Sequence, residues 1–121
     1  MSIRTEKVKR YTDALNNKDI EAAIDQIAEN FCLNDPFVDG LQPKSAVAAM
    51  YREALPEAPI KFLIESLVED GDTVIVRLKT EFIGQLYRSV NVFTFDGDEM
   101  VRLDAFAHGL QKAAEEAANG K

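Results

Sequence analysis

A chain of 121 residues, 46% of them hydrophobic, has the length and apolar content of one globular domain with a core of its own. With 14 Lys and Arg against 21 Asp and Glu, the formal charge is −7 and the pI about 4.7, which argues against a nucleic-acid backbone as principal partner. One cysteine (Cys32) and one histidine (His108) supply neither an internal disulfide nor a zinc ligand set. No apolar run approaches the ~20 residues that span a bilayer, and the polar opening Met-Ser-Ile-Arg-Thr-Glu-Lys lacks a signal-peptide core. The expectation is a metal-free cytoplasmic protein with no nucleic-acid or membrane partner.

Val8, Tyr11 and Leu15 recur at helical spacing. After the polar break Asn16-Asn17-Lys18, Ile20, Ala23, Ile24 and Ile27 repeat the pattern behind Asp19, a good N-cap. Arg4, Lys7, Lys9 and Arg10 read as the solvated face of the first helix. Phe31 to Asp35 is strand-like and stops at Pro36, and Phe37 to Lys44 reads as a loop. Ser45 caps a third helix that carries Val47, Met50, Tyr51 and Ala54 and ends before Pro56. Four strands follow, Ile60 to Val68, Thr73 to Phe82, Leu86 to Phe95 and Met100 to Ala107, divided by Glu69-Asp70-Gly71-Asp72, Ile83-Gly84 and Asp96-Gly97-Asp98. In the second run Val74, Val76, Leu78, Thr80 and Phe82 share one face, and Arg77, Lys79 and Glu81 share the other. Beyond Leu110 the tail has no apolar stripe other than alanine and reads as a frayed end. Helices followed by a meander give an α+β domain spanning residues 1–121, its helices laid on an antiparallel sheet whose curvature would leave a pocket between the layers.

The chain has no phosphate-cradling glycine loop, no nucleophile elbow and no calcium loop around Asp96-Gly97-Asp98. Cys32 reads as a small buried hydrophobe, and His108 as a solvated or interface residue outside any site. Asp35, after Phe31 and Leu33 and before a proline, is either a loop-starting residue or a carboxylate at the mouth of an apolar pocket, usable as a general base. Tyr11 is either a core aromatic or a phenol aimed into that pocket. By strand alternation, Asn91 faces inward if Phe93 and Phe95 do, as do Leu103, Ala105 and Ala107, while Arg102, Asp104 and His108 face outward.

The motifs Tyr11-x-x-Ala14-Leu15-Asn16 with Asp19 shortly after, Asp35-Pro36, Tyr51 on the third helix, and Val92-Phe93-Thr94-Phe95-Asp96-Gly97 agree in order and spacing from about Val8 to His108 with one family. In them the sequence resembles the ketosteroid isomerase and SnoaL-like branch of the nuclear transport factor 2 superfamily. The resemblance implies a cone-shaped α+β fold, three helices packed on a strongly curved antiparallel sheet around a pocket, and a homodimer. In ketosteroid isomerases an aspartate moves a proton next to a ketone while a tyrosine and a protonated aspartate stabilise the oxyanion. The resemblance carries the base to Asp35, the oxyanion tyrosine to Tyr11 and a supporting tyrosine to Tyr51. The third catalytic position is Asn91, an amide that donates without needing a raised pKa. Limonene-type epoxide hydrolases would need an Arg-Asp pair and a later acid where this chain has Ser89, Asn91 and Ala105. That class is disfavoured, as are polyketide cyclases that rely on the late acid.

The expected function is a cofactor-independent isomerase that moves a proton α to a carbonyl in a small hydrophobic ketone or enone. Asp35, Tyr11 and Asn91 would be catalytic, and Tyr51, Phe93, Phe82 and Leu103 would hold the substrate. The alternative is a non-catalytic pocket protein or dimeric interaction module. The dimer contact is expected on the outer sheet face, where Ile75, Leu86, Val90, Val92 and Phe106 alternate with Arg77, Lys79, Arg88, Arg102 and Asp104.

Overall fold

Ser2 starts the first helix, α1 (Ile3–Asn16). Its hydroxyl accepts the Thr5 amide proton at 3.0 Å, and the Thr5 hydroxyl accepts from the Ser2 amide at 3.1 Å. The computed structural model describes residues 2–35, 40–107 and 116–117. The helix thus begins ahead of Val8, because a cap made of two small hydroxyl residues leaves no hydrophobic signal. Val8, Tyr11, Ala14 and Leu15 form its buried stripe. After Lys18, at a positive φ of 60°, Asp19 caps α2 (Ile20–Asp25) by accepting the Ala22 amide proton.

Strand β1 (Ile27–Asn34) starts earlier than Phe31, and Ile27, expected to continue the helical pattern, is its first residue. A register slip between Ile27 and Cys32 breaks the alternation, leaving Glu29 and Asn30 exposed between buried Ala28 and Phe31. Within the stretch expected to be loop, Gln42–Pro43 forms a short strand, β2. Helix α3 (Lys44–Ala54) has Pro43, not Ser45, at its N-cap, in extended backbone and with no side-chain capping bond, so the helix starts one residue before the hydroxyl that marks it in the sequence. It runs into a 3-10 turn at Leu55–Glu57. The strands β3 (Ile60–Asp70), β4 (Thr73–Phe82), β5 (Gln85–Asp96) and β6 (Glu99–Ala107) follow, each close to its expected span. The two-residue turn between β4 and β5 puts both Ile83 (φ 50°) and Gly84 (φ 77°) in the left-handed region, a strained setting for a β-branched side chain. The expectations for Pro36 to Asp39, for His108 and for most of the tail beyond Leu110 lie outside the described residues.

The six strands make one curved sheet in the order β2-β1-β6-β5-β4-β3, antiparallel except for the parallel pair β1–β6. The helices cover one face and bury Leu33, Val74, Val76, Leu78, Phe93, Phe95, Met100 and Leu103 beneath them. Cys32 departs from its expected burial: it is half-buried and alternates away from Phe31 and Leu33, on the outer face. Arg4 and Lys7 also do more than meet solvent. Arg4 donates to the carbonyls of Gly97 (2.8 Å) and Gly71 (2.9 Å) and lies over the Phe95 ring, and Lys7 donates to the Asp98 carbonyl. They tie the start of α1 to the hairpin turns at one end of the sheet. At the other end of α1, Asn16 acts as a short substitute strand against the free edge of β3: its amide donates to the Phe62 carbonyl and its oxygen accepts the Phe62 amide proton, both at 2.8 Å. Lys18 adds a bond to the Ala58 carbonyl at 2.8 Å.

Candidate active site

Strand register builds the site in layers. Leu33 pairs with Leu103, Leu103 with Phe93 and Phe93 with Val74, and this fully buried row forms the floor. Ala105 pairs with Asn91, and Asn91 with Val76. Asp35, just past the end of β1, lines the same cavity as Ala105 and Asn91. The next row holds Ala107, Ser89 and Leu78. Asp35, Asn91, Ala105, Ala107, Ser89 and Leu78, with Met50 from α3, Leu55 from the turn after it and Ile60 and Phe62 from β3, line a cavity of about 330 Å³, within the range of small-molecule sites.

Tyr11 on α1 and Tyr51 on α3 close the cavity over the floor, 2% and 7% exposed. Their hydroxyls are hydrogen-bonded to each other, and the Tyr11 ring meets Phe93 edge-on at 5.7 Å between centroids. Burial above all, then the neighbouring Tyr51 and its hydrogen bond, and finally the Asp35 carboxylate, hold the Tyr11 phenol well above the ordinary tyrosine range. Burial also raises Tyr51. The hydrogen bond with Tyr11 acts in the opposite direction, and Asp35 raises it further. Both phenols stay protonated, so the pair keeps two O–H groups, one of them spent between the rings and the other available to a ligand oxygen or a carboxylate.

Asp35, Tyr11, Asn91, Tyr51, Phe82 and Leu103 all line this one cavity. Phe93, expected against the substrate, instead lies behind Tyr11 as part of the floor, because alternation gives the face of a strand but not the depth along it. Sequence reasoning missed the pairing of Thr80 with Ser89, whose hydroxyls meet at 2.8 Å on the cavity wall. Thr80 was legible on the inward face, but its partner sits diagonally on the next strand. Among the described residues no three His, Cys, Asp or Glu side chains converge as a metal site.

A family model for the SnoaL-like domain matches residues 8–108. The chain belongs to the SnoaL-like family. This SnoaL-like fold matches a nuclear transport factor 2-like protein of unknown function from Cytophaga hutchinsonii at a TM-score of 0.76 and 18% identity, over 93% of this chain and 96% of the other. It matches a proposed polyketide cyclase from Sinorhizobium meliloti at 0.73 and 23% identity (84% and 94% covered). It also matches IdmH, a proposed polyketide cyclase from Streptomyces antibioticus, at 0.73 and 15% identity (94% and 98%). At these identities the likeness concerns the fold alone. No curated protein matches at a significant level.

Proposed function

We propose that this SnoaL-like protein is a cofactor-independent isomerase of the ketosteroid isomerase type, acting on a small hydrophobic ketone or enone. One observation carries the reading: a carboxylate, Asp35, and an amide, Asn91, line one mostly apolar cavity together with a protonated tyrosine pair. The ligand carbonyl accepts from the Tyr11–Tyr51 pair and from the Asn91 amide. Asp35 removes the proton α to that carbonyl, and the electron pair of the broken C–H bond moves onto the carbonyl oxygen as a dienolate. The same carboxyl group, now protonated, returns the proton at the far end of the conjugated system as the carbonyl re-forms. No oxidant, reductant or cofactor is consumed. The homologous fold of two proposed polyketide cyclases favours a second reading, in which the same enolate attacks a carbonyl within the substrate and closes a ring. A homodimer through the outer sheet face completes the proposal: Val90 and Phe106 pair across β5 and β6, and Phe106 is 56% exposed.

The test follows loss of a deuterium label α to the carbonyl across a panel of small cyclic enones, with wild type and Asp35→Asn. Asparagine keeps the size of the side chain but accepts no proton, so exchange should vanish while ligand binding persists. If no panel member exchanges faster with wild type than with Asp35→Asn, the catalytic reading is abandoned, and retained binding then identifies a hydrophobic-ligand carrier.

A further inference from the structure

Thr80 and Ser89 are 1% and 6% exposed, and both face the cavity, with apolar Leu78 and Phe82 flanking Thr80 on β4 and Asn91 next along the wall from Ser89 on β5. Their strands do not need them. β4 and β5 pair without interruption from Thr73↔Thr94 to Phe82↔Gln85, so a hydroxyl tie adds nothing to the register. Two hydroxyls carry two protons and four lone pairs, and their mutual bond at 2.8 Å uses one of each. When Ser89 donates to Thr80, the Thr80 proton is left over. When Thr80 donates, the one other acceptor for Ser89 among the described residues is the Tyr87 carbonyl at 3.4 Å, at the long limit of a hydrogen bond. The pair therefore has donor capacity to spare, at a fixed point of the wall. That point lies two residues from Asn91 on the same face of β5, about 7 Å along the strand.

We propose that Thr80 and Ser89 form a second oxygen-binding subsite, so that this cavity selects small fused-ring ligands bearing two oxygens: one held at Asn91 and the tyrosine pair, the other some 7 Å away on the hydroxyl pair. The proposal rests on the cavity being the ligand site, and it adds to that reading the substrate class. An oxygen elsewhere on the ligand would meet Met50, Leu55, Ile60 or Phe62 and lose its hydrogen bonds to water without replacement.

The experiment compares two phenols as probes by calorimetry: β-naphthol, with one hydroxyl, and the naphthalenediol that adds a second at the opposite end of the fused rings. The wild type should bind the diol about fivefold to tenfold more tightly, the worth of one well-made hydrogen bond. A diol with both hydroxyls on one ring should show no such gain. In Thr80→Val/Ser89→Ala the preference should disappear while β-naphthol binds within about twofold of wild type, since its single oxygen stays at Asn91. Thr80→Ser, which keeps the hydroxyl, should keep the preference. Equal binding of both probes by the wild type overturns the subsite and leaves the cavity reading intact, as does a preference that survives the double substitution. If neither probe binds, the cavity reading falls and takes the subsite with it. The wild-type comparison decides even if the double variant does not fold.

Discussion

Titration with base interrogates the Tyr11–Tyr51 pair directly. An unfolded tyrosine ionises near pH 10, whereas burial holds both phenols of the folded chain above that value. Above pH 10 the unfolded state has lost protons that the native state still binds, so stability is complete below pH 10 and falls as the pH rises beyond it. The slope approaches about 1.4 kcal/mol per pH unit for each tyrosine, or about 2.7 for the pair, against the 5–15 kcal/mol that holds an ordinary domain together. The chain has 3 tyrosines and no tryptophan, so in a Tyr87→Phe background every phenolate signal comes from the pair. Ultraviolet absorbance of phenolate and circular dichroism should then change in one cooperative step, and adding Tyr51→Phe should halve the pair's part of the slope. Asp35→Asn should allow ionisation at lower pH, because the Asp35 charge is one of the causes that raise both phenols. Phenolate appearing near pH 10 while the fold remains intact would show the pair to be wet, and the argument for a protonated oxyanion donor would fail with it.

Asn16→Ala leaves the amide and carbonyl of Phe62 without their 2.8 Å partners at a sheet edge that water reaches, so the loss should be about 2 kcal/mol, read as a melting temperature lower by about 8 °C. Ile83→Asn should stabilise the chain by about 1 kcal/mol in denaturant unfolding, because asparagine tolerates the positive φ that isoleucine resists. Phe106→Asp should convert a sedimenting species of twice 13.5 kDa into one of 13.5 kDa without lowering the melting temperature of the monomer, since that ring is exposed and outside the core.

The meander was legible because its turns are marked by Asp-Gly and Ile-Gly steps and its inward residues alternate from Val74 to Thr80. Where alternation breaks, legibility ends. The irregularity between Ile27 and Cys32 concealed the first half of β1, and the one between Thr94 and Phe95 puts both Met100 and Leu103 inside although their numbers differ in parity. Nothing local announces that β1 pairs with β6, since the two strands lie at opposite ends of the sequence. Tyr11, Asp35 and Asn91 could be gathered beforehand because each follows from its own element's periodicity together with the family resemblance. Which side chain lies behind another is a matter of packing depth. Alternation alone therefore does not show that Phe93 meets the Tyr11 ring edge-on, nor that Thr80 meets Ser89 diagonally across two strands.

The parallel junction of β1 and β6 also orders events in time. Ile27↔Met100 and Asn34↔Asp104 are contacts between the first and the last strands among the described residues, and closing so long a loop is entropically unfavourable until β3 to β6 have already zipped through their short hairpins. The strand that leads into Asp35 is thus the piece of sheet with the longest wait for its partner, and a chain stalled short of that step would hold a formed meander with Asn91 in place and no carboxylate lining the cavity with it. Refolding followed by hairpin-sensitive and ligand-sensitive signals should show the second lagging the first, competence arriving only with the closure of the oldest and youngest parts of the chain.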